Sequence, residues 1–148
     1  MDARETELWG RAKEGEGDDL ARLADYVGSV GLVERGADPA LRATAVRALA
    51  FVHDFAALPW LASVGADRDD AEAVSALDAI VELASQPRRA VDPEDASELR
   101  EGSDKLLALA KDTSTANERR VRAIRALRML VDRHCVDPAQ IPTDLDPR

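Results

Sequence analysis

Apolar residues along this chain recur at three- and four-residue intervals, and runs of β-branched residues with period two are missing, so the pattern predicts helices and no strand. Arg4 to Lys13 reads as a short helix carrying Leu8 and Trp9, broken by Gly15 and Gly17. Asp18 and Asp19 open a second helix through about Val27, with Leu20, Leu23, Ala24 and Val27 on one face. Gly28, Gly31 and Gly36 then predict a turn region. Asp38-Pro39 pairs an N-cap acceptor with proline at the first helical position, and starts a helix that runs to about His53. Its stripe of Leu41, Ala45, Ala48, Leu49 and Val52 keeps the 3.6-residue period.

Pro59 is tolerated only in a first turn, which sets the next helix start near Ala57 or Leu58 and its end near Val64. Asp69 caps a helix with Val74, Leu77, Ile80, Val81 and Ala84. Gln86 to Pro93 reads as a loop between two prolines, followed by a helix from Pro93 to Ala110 with a bend expected at Gly102. The last long helix covers about Ala116 to His134. Residues 136–148 contain three prolines and read as an extended tail that either lies across the last hairpin, with Ile141 and Leu145 covering its open end, or is a disordered end. The expectation is one all-α domain spanning residues 1–148, with six or seven helices.

Three helices share a pattern. Arg42-Ala43-Thr44-Ala45-Val46-Arg47-Ala48-Leu49 matches Arg120-Val121-Arg122-Ala123-Ile124-Arg125-Ala126-Leu127 at an offset of 78 residues. Ala73-Val74-Ser75-Ala76-Leu77 is a weaker copy, 28 residues after the first. Each copy follows a shorter helix, so the repeating unit is a helical hairpin. A single hairpin cannot bury its apolar face, and stacking copies solves that. Leu41 to Leu49 resembles the second-helix pattern of the HEAT-like repeat family, and Ala56 to Val64 is similar to its first-helix pattern, over roughly residues 39–134. The middle copy departs from the family, with Asp70 where arginine is preferred and Ser75 in place of Arg47, and the spacings of 28 and 50 residues are irregular. The resemblance implies a short right-handed α-solenoid of stacked hairpins, and mostly binding scaffolds, with few enzymes.

Composition narrows the chemistry. No apolar stretch approaches the roughly 20 residues of a membrane helix. The N-terminal segment is acidic and no apolar signal region follows it, so a cytoplasmic location is expected. Arginine outnumbers lysine 17 to 3 beside 27 alanines, the balance of a GC-rich bacterial genome. Cys135 is the one cysteine, which excludes a disulfide framework or a cysteine-rich zinc site within the chain. The family's hydroxylases use repeated His-Glu pairs, and neither His53 nor His134 is followed by Glu. No motif supports a related bilin lyase, and related DNA glycosylases use a basic, aromatic-lined face that an acidic chain with five aromatics lacks. His53-Asp54 reads as a helix end, where an imidazole suits the C-terminal dipole, rather than a ligand pair. His134 and Cys135 are adjacent on a helix and point about 100° apart, unlike a nucleophile and its base. The glycines fit no nucleotide-binding fingerprint. No catalytic residue, cofactor or metal ligand is therefore assigned.

Charge is the remaining signal. The chain carries a formal −9, yet Thr115 to His134 holds six arginines and two acids. Arg119, Arg122, Arg125 and Arg133 lie broadly opposite the apolar face of Ile124, Leu127 and Val131. Either these arginines pair with neighbouring acidic helices, or they read an anionic partner. An acidic protein segment suits them better than nucleic acid, which the acidic remainder of the chain would repel. Trp9, near a terminus, divides between a binding anchor and a core filler, whereas Trp60 reads as core. The sequence thus points to a non-catalytic scaffold or adaptor binding a protein through helix faces. A nucleic-acid-binding repeat protein is the alternative. The two open ends of a short stack also suit homodimerisation.

Overall fold

The computed structural model describes residues 1–86, 96–131 and 136–145. Among them are seven α-helices and no strand: α1 (Ala3–Glu14), α2 (Gly17–Arg35), α3 (Pro39–Leu49), α4 (Leu58–Asp67), α5 (Asp70–Ser85), α6 (Ala96–Lys111) and α7 (Asn117–Val131). The starts follow local chemistry. Asp2, Asp38 and Asp69 each cap a helix with a side-chain oxygen that accepts a first-turn N–H, from Glu5, Ala40 and Glu72 respectively. Pro39 and Pro59 occupy first-turn positions where their missing N–H costs nothing.

Consecutive helices pair as hairpins, α2 with α3, α4 with α5, and α6 with α7. The second helices form a row in which α5 packs on both α3 and α7. Among the first helices α4 lies against α6, while α1 closes on α2 and α3. The three related sequence segments bury equivalent positions. Ala45 and Ala48 in α3, Ala73 and Ala76 in α5, and Ala123 and Ala126 in α7 are all fully buried, as are Leu49, Leu77 and Leu127. Alanine lets helix axes approach, and the adjacent leucine fills the space behind. One apolar cluster runs from Leu8 in α1 to Leu130 in α7 and on to Ile141.

Several sequence expectations need correction. The expected helix end at about Val27 coincides with a break at Gly28, whose backbone is non-helical, but a second helical stretch rather than a turn region follows it to Arg35 within α2. Gly28 sits at φ 79° and ψ 167°, a conformation open essentially to glycine alone. Gly28→Ala should therefore lower stability by about 1–3 kcal/mol, read as a lower urea midpoint, although an added Cβ would meet nothing within 4 Å. Helix α3 ends at Leu49, not near His53, and α4 extends to Asp67. Gly102 marks a close approach of α4, since a Cβ there would meet Leu58. The stretch from 87 to 95, including the expected helix start at Pro93, and the stretch from 132 to 135 lie outside the described residues. In the described part of the tail Ile141 is buried, Leu145 packs against the core cluster, and a 3-10 turn at Pro138–Gln140 is capped by Asp137.

Candidate functional site

The arginine-rich helix α7 is mostly occupied with holding the fold. Arg120 is buried, donating from Nε to the Ala110 carbonyl at 2.9 Å and from Nη2 to both carboxylate oxygens of Asp144, at 3.0 and 2.8 Å. Its repeat equivalent Arg42 is also buried and donates from Nε to the Gly36 carbonyl at 3.0 Å. Each arginine thus ties down a carbonyl at the end of the helix preceding its own, where the chain leaves backbone acceptors unpaired. The middle hairpin has Asp70 at the equivalent position. There Arg119 reaches across from α7, donating to the Ala66 carbonyl at 3.3 Å and the Arg68 carbonyl at 2.8 Å, at the end of α4. One hairpin is therefore capped by its neighbour.

The predicted binding residues divide accordingly. Arg119 is committed to α4. Arg122 donates to Asp78 on α5 at 3.1 Å and also pairs with Glu118 at 3.3 Å. Arg125 is half-buried and forms no ion pair among the described residues. Arg133 lies outside the described residues, as do His134 and Cys135. Trp9 is only 5% exposed, a core residue whose burial removes it from any binding surface. Trp60 is half-buried against the core, its ring edge facing Gly36. Of these arginines, Arg122 pairs with an acid of a neighbouring helix, Asp78 on α5.

His53 does not sit on a helix end with Asp54. It is exposed in the connection after α3, its Nε2 3.5 Å from Asp25. Asp54 turns the other way, accepting from the Ser29 hydroxyl at 2.7 Å and the Ala56 N–H at 3.0 Å. Among the described residues no group of three or more His, Cys, Asp or Glu side chains gathers to hold a metal ion. No described helix is long and apolar enough to cross a membrane.

On the outer side of the α3–α5 pair lies a groove of about 680 Å3 that the sequence did not single out. The α1–α2 junction forms one side, contributing Glu14 and Glu16, while α5 contributes Ser75, Asp78 and Glu82. Asp78 and Glu82 are four residues apart and so share a helix face. Phe51, Val74 and Leu20 supply the apolar lining, with the Phe51 ring edge against the backbone at Gly17, 3.6 Å from where a Cβ would stand. Two cations belong to the groove, Lys13 and Arg47. Arg47 is spent on structure, donating to the Gly15 carbonyl at 2.8 Å and so fixing the α1–α2 junction against α3. Arg47, Ser75 and Arg125 occupy equivalent repeat positions. Arg47 and Ser75 both line the groove, so it lies on the same face of α3 and α5.

Midway along α2, Tyr26 donates its hydroxyl to Asp2 at 2.9 Å. Asp2 lies below the usual carboxylate range because it accepts the Glu5 N–H and this hydroxyl, and the Tyr26 phenol is raised by the same bond. These shifts belong to a capping contact on the surface and not to a reactive centre. Compared with protein-family models, curated proteins and solved structures, the chain matches none.

Proposed function

We propose that this protein is a non-catalytic, HEAT-like helical-repeat adaptor that binds another protein across the face of α3 and α5 that lines the groove. The observation that carries this reading is the groove between α3 and α5, about 680 Å3, open, lined by both apolar and charged side chains, and formed at equivalent positions of repeated helices. A row of helices whose inner faces are consumed by the core leaves its outer face as the surface on which sequence is free to serve recognition. The right-handed solenoid arrangement belongs to this proposal, supported by hairpins that stack through α3, α5 and α7 and through α4 and α6. A cytoplasmic setting and homodimerisation through an open end are part of the same reading.

The arginine helix loses its place as the binding element, because Arg119, Arg120 and Arg122 already have acceptors within the fold. The test is capture by the tagged full-length chain from nuclease-treated lysate of the source organism, beside the variant Ser75→Trp, which fills the groove. The expected result is one stoichiometric protein, captured by the native chain and lost with the variant. Recovery only when nuclease is omitted would overturn the reading in favour of nucleic acid. Equal capture by both chains would move the binding surface away from this face.

A further inference from the structure

We infer that the occupant of the groove is a basic amphipathic helix of a partner protein, with apolar residues on one face and lysine or arginine along its edges. This deepens the adaptor reading and rests on it. The two sides of the groove carry acids on opposed elements, Glu14 and Glu16 at the α1–α2 junction and Asp78 and Glu82 on α5. Against these four stand Lys13 and Arg47, a balance of −2. Commitment within the fold sharpens the contrast. Arg47 is held on the Gly15 carbonyl, and Asp78 is paired with Arg122. Glu14, Glu16 and Glu82 form no ion pair among the described residues, and Glu16 and Glu82 are exposed on opposite sides.

Between these acids lie Phe51 and Val74, both half-buried, an apolar strip with no side chain of the described chain covering it fully. A purely polar ligand would leave that strip wet, and a purely apolar one would strand the carboxylates. A helix that lays an apolar stripe on Phe51 and Val74 and directs cations to Glu16 on one side and Glu82 on the other satisfies both. The chain's formal −9 acts in the same direction, drawing a cationic segment in at long range, so that salt slows association. An acidic segment would meet uncompensated carboxylates on both sides.

The probe is a fluorescein-labelled amphipathic leucine–lysine peptide of about 14 residues, roughly 21 Å of helix, with a leucine–glutamate counterpart, titrated with the full-length chain and read by anisotropy. The native chain should bind the lysine peptide and ignore the glutamate one. Glu16→Lys with Glu82→Lys should weaken binding at least about tenfold, and Ser75→Trp should do the same. Glu101→Lys with Asp104→Lys on α6, both exposed and away from the groove, alters net charge equally and should leave binding within about twofold. Equal loss in both double variants would overturn the proposal, showing attraction by net charge alone. So would absence of binding, or preference for the glutamate peptide. If Ser75→Trp abolishes capture from lysate while the lysine peptide fails to bind, the adaptor reading stands and this inference falls. Far-ultraviolet circular dichroism confirms that each variant is folded. The exposed pair Glu16 and Glu82 carries the test should Ser75→Trp disturb packing.

Discussion

Gly102→Ala is expected to destabilise the protein by about 1–3 kcal/mol, the usual cost of overpacking a filled interior. The sign is informative because intrinsic propensity argues the other way: alanine in a helix interior is worth about 0.5–1 kcal/mol over glycine. At Gly102 a Cβ would stand 2.7 Å from Leu58 Cδ2 and closer still to its Cγ. Leu58 is fully buried, so it has no open space into which to swing. The matched control is Gly10 in α1, where a Cβ meets nothing within 4 Å. Gly10→Ala should raise stability by about 0.5–1 kcal/mol. Urea denaturation of both variants reads the two signs directly. Adding Leu58→Ala to Gly102→Ala should cost less than the sum of the two single changes, because the second substitution removes the atoms the first one strikes.

The second large effect is at Arg120. Arg120→Met keeps most of the volume and removes the guanidinium, leaving the Ala110 carbonyl and Asp144 without their donor. Hydrogen bonds from a charged donor are worth about 1.5–3 kcal/mol, and a loss of that size is expected. Arg120→Lys should recover only part of it. One ammonium has neither the planar fork for two Asp144 oxygens nor the reach to serve the carbonyl as well. Asp144→Asn should cost less than Arg120→Met, since Asp144 is half-exposed and its charge is screened. Arg125→Met, on the same helix and without an ion pair among the described residues, should change stability by less than about 0.5 kcal/mol. Thermal or urea unfolding of this set separates arginines that hold the fold from those that do not.

Most of the fold was legible because capping chemistry and helical period act locally. Asp38-Pro39 and Asp69 announced helix starts within a residue of where they occur. The repeat named the positions that become buried, from Ala45 and Ala48 to Ala123 and Ala126. Gly28 marked the break after Val27, but a positive φ does not say whether turn or helix follows. Here the chain resumes helix beyond the break, with Leu32 fully buried. The candidate site was harder to read. Helix α7 carries its arginines in plain view, but whether a cation is free depends on acceptors far away in sequence, such as Arg68 for Arg119 and Asp144 for Arg120. The recurrence of arginine at positions 42 and 120, and its replacement by aspartate at 70, was the available signal that this position serves structure. The groove needed three separated segments, around Glu14, Phe51 and Asp78, and no local pattern joins them.

The tail has a further bearing on assembly. Ile141 joins the core and Asp144 holds Arg120, so residues 136–145 lie over α7 where another hairpin would otherwise dock. At the opposite end α1 closes on α2 and α3 without any comparable strap, and Tyr26 and Val30 remain exposed on α2. The two ends therefore differ: the tail packs on the α7 end, while the α1–α2 end leaves Tyr26 and Val30 exposed. If the chain pairs with itself as proposed, the α1–α2 end is the face left to do so, and such a face-to-face pair would terminate at two copies.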